Sequence, residues 1–131
     1  MFSADTHVLV VDDMMTMRKI VSKTVGEMGF SQISQAEDGR AAWSLIQEAE
    51  VPVGLVISDW NMPNMSGLDL LKAVRSHVKY QNLPFLLVTA EAEKGQVAEA
   101  LKAGVDSYVV KPFSKDGLRE KLEAVYKKRC G

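Results

Sequence analysis

"VGLVISDWNMPNMSG", residues 53–67, decides the fold and opens the question of function. An apolar run of strand length breaks off at Asp59, followed by Trp60 and a turn built from Asn61, Pro63, Asn64 and Gly67. Turn residues alone suffice to end a strand, so the carboxylate at its tip is surplus to that need. The run is continuous rather than alternating, the pattern of a parallel strand covered by helices on both faces.

The same pattern recurs on either side. "HVLVVD" (7–12) reads as a first strand, and Met17, Ile20, Val21, Thr24, Val25 and Met28 follow at helical spacing, with Gly29 where a C-cap glycine belongs. "QISQA" (32–36) is a second strand, and Ala42, Leu45, Ile46 and Ala49 form a helical stripe opened by "EDG" (37–39). The third strand, 54–59, precedes a helix starting at Ser66 and carrying Leu68, Leu71, Lys72 and Arg75. "PFLLVTA" (84–90) is a fourth strand, with a weaker helix over about 92–103, and "SYVVK" (107–111) is a fifth. Leu118, Leu122, Val125 and Tyr126 mark a last helix. Five β–α units in succession predict an α/β three-layer domain, with helices on both faces of a parallel sheet and right-handed crossovers.

At 131 residues the chain reads as one domain, 1–131, with no linker, repeat or output domain. A net charge of −1 gives no footprint for nucleic acid or an anionic membrane. The N-terminus has neither a basic n-region nor an apolar span. The lone Cys130 excludes an intrachain disulfide and fits a reducing compartment. "KKR" (127–129) reads as a solvated helix C-terminus favoured by the macrodipole. These features predict a soluble cytoplasmic protein.

In such sheets the site lies beyond the carboxyl ends of the strands. Asp12 and Asp13 follow strand one, Asp59 ends strand three, Thr89 strand four and Lys111 strand five, while strand two ends near Glu37 and Asp38. Each has a plain role available: Asp13 or Thr89 as a helix cap, Asp59 as a turn opener, Lys111 as a solvated lysine. The fold nevertheless gathers them on one edge. Three carboxylates brought together repel and raise one another's pKa unless a cation intervenes. A hard divalent ion such as Mg²⁺ suits a shallow carboxylate site, and a carbonyl just past Asp59, that of Asn61, offers a further oxygen. A phosphate cradle at the helix N-terminus needs glycines and hydroxyls after the first strand; here that loop is "VDDMMT" (11–16), whose two carboxylates would repel a phosphate and attract a metal. A carboxylate can itself take up a phosphoryl group, and phosphoryl transfer needs chiefly positioning and charge neutralisation. With Mg²⁺, Lys111 and Thr89 each taking a phosphoryl oxygen, Asp59 is the candidate acceptor.

"VVDD", "ISDWNMPNMSGLDLL", "LLVTAEA" and "YVVKPF" together resemble the bacterial response-regulator receiver domain, in particular the single-domain chemotaxis regulators of the CheY type, across essentially the whole chain. The resemblance implies a flavodoxin-like sheet of order 2-1-3-4-5 flanked by five helices. It implies phosphoryl transfer from a sensor histidine kinase of the CheA type to Asp59, with Mg²⁺ held by Asp12, Asp13, Asp59 and the Asn61 carbonyl. Thr89 and Lys111 would contact the phosphoryl group, and Tyr108 would turn inward as Thr89 moves. Side chains two positions beyond the acceptor and the threonine, Asn61 and Glu91, would tune dephosphorylation. The face formed by the fourth helix, fifth strand and fifth helix would bind a flagellar motor switch protein of the FliM type, with a phosphatase as a possible further partner and the regulator itself a monomer.

This sequence departs from the family pattern at Met14, often Phe, at Ser66, often Asp, and in the helix within "EAEKGQVAEALKAG" (91–104), with its Gly95. The last departure bears on the identity of the output partner. Trp60 is expected to pack beside the pocket, and Pro112 after Lys111 invites a cis peptide bond. The rival readings are a non-chemotactic regulator or phosphate sink, a Mg²⁺-dependent small-molecule phosphatase and a phosphate-independent adaptor. Turnover of a phosphomonoester panel separates the phosphatase from the rest.

Overall fold

The computed structural model describes residues 2–90 and 94–130. Strands and helices alternate: β1 His7–Val11, α1 Met15–Glu27, β2 Gln32–Ala36, α2 Gly39–Glu48, β3 Val53–Asp59, α3 Gly67–Ser76, β4 Phe85–Thr89, α4 Lys94–Ala103, β5 Ser107–Val110 and α5 Lys115–Arg129. The strands form one parallel sheet in the order β2-β1-β3-β4-β5. The chain leaves β1 toward β2, then crosses back to β3. The switch point of strand order therefore lies between β1 and β3, where an open α/β sheet offers its binding crevice.

Both faces of the sheet are covered, which is why its central strands are apolar at every position. Leu9, Val11, Val56, Phe85 and Leu87 point one way, against Ala42 and Ile46 of α2 and Leu68, Leu71 and Val74 of α3. Val8, Val10, Leu55, Ile57, Leu86 and Val88 point the other way, against Val21 and Val25 of α1 and Leu118, Leu122 and Val125 of α5. Each such side chain, fully buried, is worth about 1.5–3 kcal/mol, so these two layers supply the main stabilisation.

Helix ends follow their local chemistry. Gly29 adopts φ +106° beyond α1, a conformation that favours glycine. Asp38, Ser66 and Ser114 cap α2, α3 and α5 by accepting the N–H of Ala41, Asp69 and Gly117. At α1, by contrast, Met14 occupies the cap position with no side-chain hydrogen bond, so Asp13 is not the cap that its position allowed. Ile20, expected in the buried stripe of α1, is 50% exposed. The Lys111–Pro112 bond is cis.

At the opposite pole of the sheet, where the strands begin, Asp106 is buried beside β5. Its carboxylate accepts from Arg75 at 3.1 Å, from the Phe85 N–H at 3.0 Å, and from Nε and Nη2 of Arg129 at 3.0 and 2.7 Å. Arg75 also donates to the carbonyls of Gly104 and Leu83. The "KKR" terminus is thus more than solvated charge. Arg129 locks α5 to this hub, and Lys128 donates to the Val105 carbonyl at 2.9 Å.

Candidate functional site

The carboxyl ends of β1 and β3 bring their acids together. Asp12 is 3% exposed, its N–H donates to the Ala36 carbonyl, and its Oδ1 accepts the N–H of Met14 at 2.9 Å. Asp13 is exposed, and Asp59 is partly buried with Oδ1 accepting the Trp60 N–H at 3.0 Å. One carboxylate oxygen from each of Asp12, Asp13 and Asp59 lies within 4.8 Å of the others.

Lys111 reaches into this cluster from beyond β5. Its Nζ lies 3.2 Å from Asp59 Oδ1 and 3.5 Å from Asp12 Oδ2, which rules out the solvated-lysine role. Its backbone N–H donates to the Thr89 carbonyl at 2.8 Å, lacing the ends of β4 and β5 together. Thr89 is buried at the tip of β4. Among the described residues α4 begins at Lys94.

Burial pushes the Asp59 carboxyl above its ordinary value; the neighbouring Asp12 charge adds to this, while Lys111 and the Trp60 N–H oppose it. Among the described residues, three carboxylates face one ammonium, Lys111, and their formal charges exceed its own by two. Every donor is a hard oxygen. That set fits Mg²⁺, which binds through a few carboxylates and retains waters.

The other expected site residues are distributed as follows. Asn61 is exposed at the head of the β3–α3 loop, one residue past the buried Trp60, which packs into the α2/α3 core layer. Tyr108 lies partly buried on β5, with the Lys121 ammonium 5.7 Å from its ring centroid. Glu91 lies outside the described residues.

Two further groups make bonds around the acids that the sequence does not show. Arg18 Nη1 donates to the Asp12 carbonyl at 2.8 Å, and its Nε donates to Gln35. Asp38, besides capping α2, accepts a 2.8 Å bond from Nδ2 of Asn64, which sits at φ +65° in the β3–α3 loop. The Asp38 carboxyl is held below its ordinary value, first by the Ala41 N–H and then by Asn64. Asp38 stood at a strand end and opened a helix, a position typical of a cap. Its second partner depends on a loop 26 residues away.

An apolar cleft of about 330 Å³, lined by Ile46, Pro52, Val53, Tyr80, Leu83 and Pro84 among others, lies at the opposite end of the sheet, away from the acids.

Residues 8–123 match the response regulator receiver domain. The chain is 49% identical over 117 residues to a chemotaxis protein CheY homologue of Campylobacter jejuni, covering 89% of each chain. It is 42% identical over 124 residues to the chemotaxis protein CheY of Pseudomonas aeruginosa, covering 95% of this chain and 98% of the relative. The solved structure of chemotaxis protein CheY4 from Vibrio cholerae has the same fold, with a TM-score of 0.84 at 36% identity over 92% of this chain and 98% of that one. Since the family match runs from β1 into α5, across every strand end described above, the chain belongs to the response-regulator receiver family and, within it, to the CheY type.

Proposed function

We propose that this chain is the phospho-accepting regulator of a two-component chemotaxis pathway, taking a phosphoryl group from a histidine kinase onto Asp59 and presenting the changed surface to the flagellar motor switch. One observation carries the assignment: Asp12, Asp13 and Asp59 each bring a carboxylate oxygen within 4.8 Å of the others, and the Lys111 ammonium lies 3.2 Å from the candidate acceptor and 3.5 Å from Asp12.

In this mechanism an Asp59 carboxylate oxygen attacks the phosphorus held on the kinase histidine. The O–P bond forms as the P–N bond breaks, and the imidazole leaves with a proton. Asp12, Asp13, Asp59 and the Asn61 carbonyl would hold Mg²⁺, which would supply charge neutralisation for the phosphoryl oxygens. Lys111 orients the Asp59 carboxylate and then takes a phosphoryl oxygen, and Thr89 donates its hydroxyl to another. Burial of Asp59 favours loss of its anionic charge, which makes the carboxylate a better nucleophile. Asn61 and Glu91, two positions beyond the acceptor and the threonine in the sequence, tune the later hydrolysis of the acyl phosphate. The protein acts only on its own phosphoryl group, as a cytoplasmic monomer whose output is the domain's own surface. Among the described residues no helix is long and apolar enough to cross a membrane.

Output follows from movement at β4 and β5. The phosphorylated Asp59 draws Thr89 toward it, Tyr108 fills the vacated space, and the α4–β5–α5 face changes shape for a motor switch protein of the FliM type. Moving such an equilibrium from 1:99 to 99:1 takes about 5.5 kcal/mol, within reach of a few charge-assisted hydrogen bonds of about 1.5–3 kcal/mol each.

The test is intact-protein mass after incubation with Mg²⁺ and acetyl phosphate. One added phosphoryl group, absent in Asp59→Asn and in chelator, supports the reading. No adduct, together with no binding of beryllofluoride as a stable phosphoryl mimic, overturns it in favour of a phosphate-independent adaptor.

A further inference from the structure

Among the described residues no hydrogen bond joins the two loops proposed to hold the metal directly. Asp12 and Asp13 leave β1 on one side of the switch point, and Asn61 follows β3 on the other. A third turn, residues 36–39 between β2 and α2, touches both. On the β1 side the Ala36 carbonyl accepts the Asp12 N–H at 3.2 Å. On the β3 side Asn64 Nδ2 donates to Asp38 Oδ2 at 2.8 Å, and the Gly39 N–H donates to the Met65 carbonyl at 3.1 Å.

That second contact is close. A Cβ on Gly39 would lie 2.4 Å from the Met65 carbonyl oxygen and 2.9 Å from Met65 Cβ, so glycine is what lets the two turns meet. The loop is also fixed at its far end. The Gly67 N–H donates to the Trp60 carbonyl at 2.8 Å, and a Cβ on Gly67 would lie 2.1 Å from the Asp59 carbonyl oxygen. With both the tip, Asn64–Met65, and the closure, Trp60–Gly67, held in place, Asn61 has little freedom left. The anchor at the tip is also the more specific one. Asn64 stands at φ +65°, a conformation that asparagine tolerates but does not require, and its amide is held by a carboxylate that is only 8% exposed.

We propose that Asp38 is a positioning residue for the metal site: through Asn64 it sets the β3–α3 loop so that the Asn61 carbonyl faces the Asp12–Asp13–Asp59 cluster. The proposal rests on the reading of that cluster as a Mg²⁺ site. Asp38 does not itself touch the metal. It acts as outer partners of metal ligands do, and removal of such partners costs about 10–100-fold in metal affinity.

Two variants separate this role from the helix cap. Asp38→Ser keeps an oxygen for the Ala41 N–H, and serine caps as well as aspartate, but it has no second oxygen for Asn64. Asn64→Gly keeps the left-handed backbone and loses only the amide. Titration of Mg²⁺ by calorimetry should give a Kd about tenfold weaker for each, with both variants still folded and melting cooperatively well above the titration temperature. The double variant should be no weaker than either single one, because both remove the same bond. Affinity unchanged within twofold in both single variants, or additive losses in the double, would overturn the clamp. Asp59→Asn in the same titration isolates the underlying reading. If the unaltered chain binds Mg²⁺ no better than Asp59→Asn, the metal assignment itself fails and takes the clamp with it.

Discussion

Asp59 is held at a thermodynamic disadvantage that its function uses. Its carboxyl titrates above the ordinary value of 3.8 because it is desolvated beside Asp12. Between that value and its raised pKa, the folded chain keeps a proton that the unfolded chain has released. Stability therefore falls as pH rises through this window, and the loss persists at neutral pH. Without divalent metal at pH 7, Asp59→Asn should melt higher than the unaltered chain, with the gap closing as pH falls toward 3.8. Mg²⁺ should raise the melting temperature of the unaltered chain and leave that of Asp59→Asn nearly unchanged; thermal melts with and without chelator check both. Asp38 has the opposite sign: its lowered pKa gives stability above 3.8 that is lost as pH falls through the folded-state value. Thr89→Ala should still accept a phosphoryl group but should lose most of the phosphorylation-dependent gain in affinity for a motor switch peptide, measured by anisotropy. Unchanged affinity would sink the coupling through Tyr108. The acids, Thr89 and Lys111 were legible because each ends a strand, and a parallel sheet delivers all its strand ends to one edge. Asp38 and Asn64 were not, because their bond is made between loops whose approach only the folded chain defines.

Among the elements, the strands were the easier to read, since two-sided burial writes itself as an unbroken apolar run. The helices were less complete. Ile20 fits the spacing of α1 but lies at the margin of its buried stripe, where periodicity cannot tell a half-covered position from a core one. Asp13 looked like a cap, yet the extended backbone at Met14 puts that residue at the start of α1 and leaves Asp13 at the acid site. Ser66 was read correctly, and the glycine after it turns out to matter more than a turn residue would. At Gly67 any side chain meets the Asp59 carbonyl, so the start of α3 and the end of β3 share one close contact. Gly67→Ala should cost on the order of 3 kcal/mol in urea unfolding, and it should also weaken Mg²⁺ binding because the backbone beneath Asp59 must shift. Stability within about 0.5 kcal/mol of the unaltered chain would show that the loop yields without strain.

Across the molecule, carboxylates at the two poles of the sheet are treated in opposite ways. Asp59 and its neighbours are left short of positive charge, whereas the Asp106 side chain, 0% exposed, is matched by Arg75, Arg129 and a backbone amide. Burial pulls the Arg75 guanidinium below its ordinary value, and the facing Asp106 opposes that shift. Removing one member of a buried ion pair costs about 3–5 kcal/mol. Asp106→Ala should therefore lower the melting temperature by roughly 10 °C, with Mg²⁺ affinity unchanged because the hub lies at the far pole. This hub fixes one end of β5, the edge strand paired with β4. The strand is built like a cantilever, clamped at its root beside Asp106 and loaded at its tip, where Lys111 meets Asp59. Deflection of such a beam grows with distance from the clamp. A phosphoryl mimic should accordingly displace backbone amide resonances most at Val110 and Lys111 and least at Val105 and Asp106. A partner at this face would then meet a surface that tilts about a fixed foot, a small pull at the tip becoming a change of angle along the whole edge.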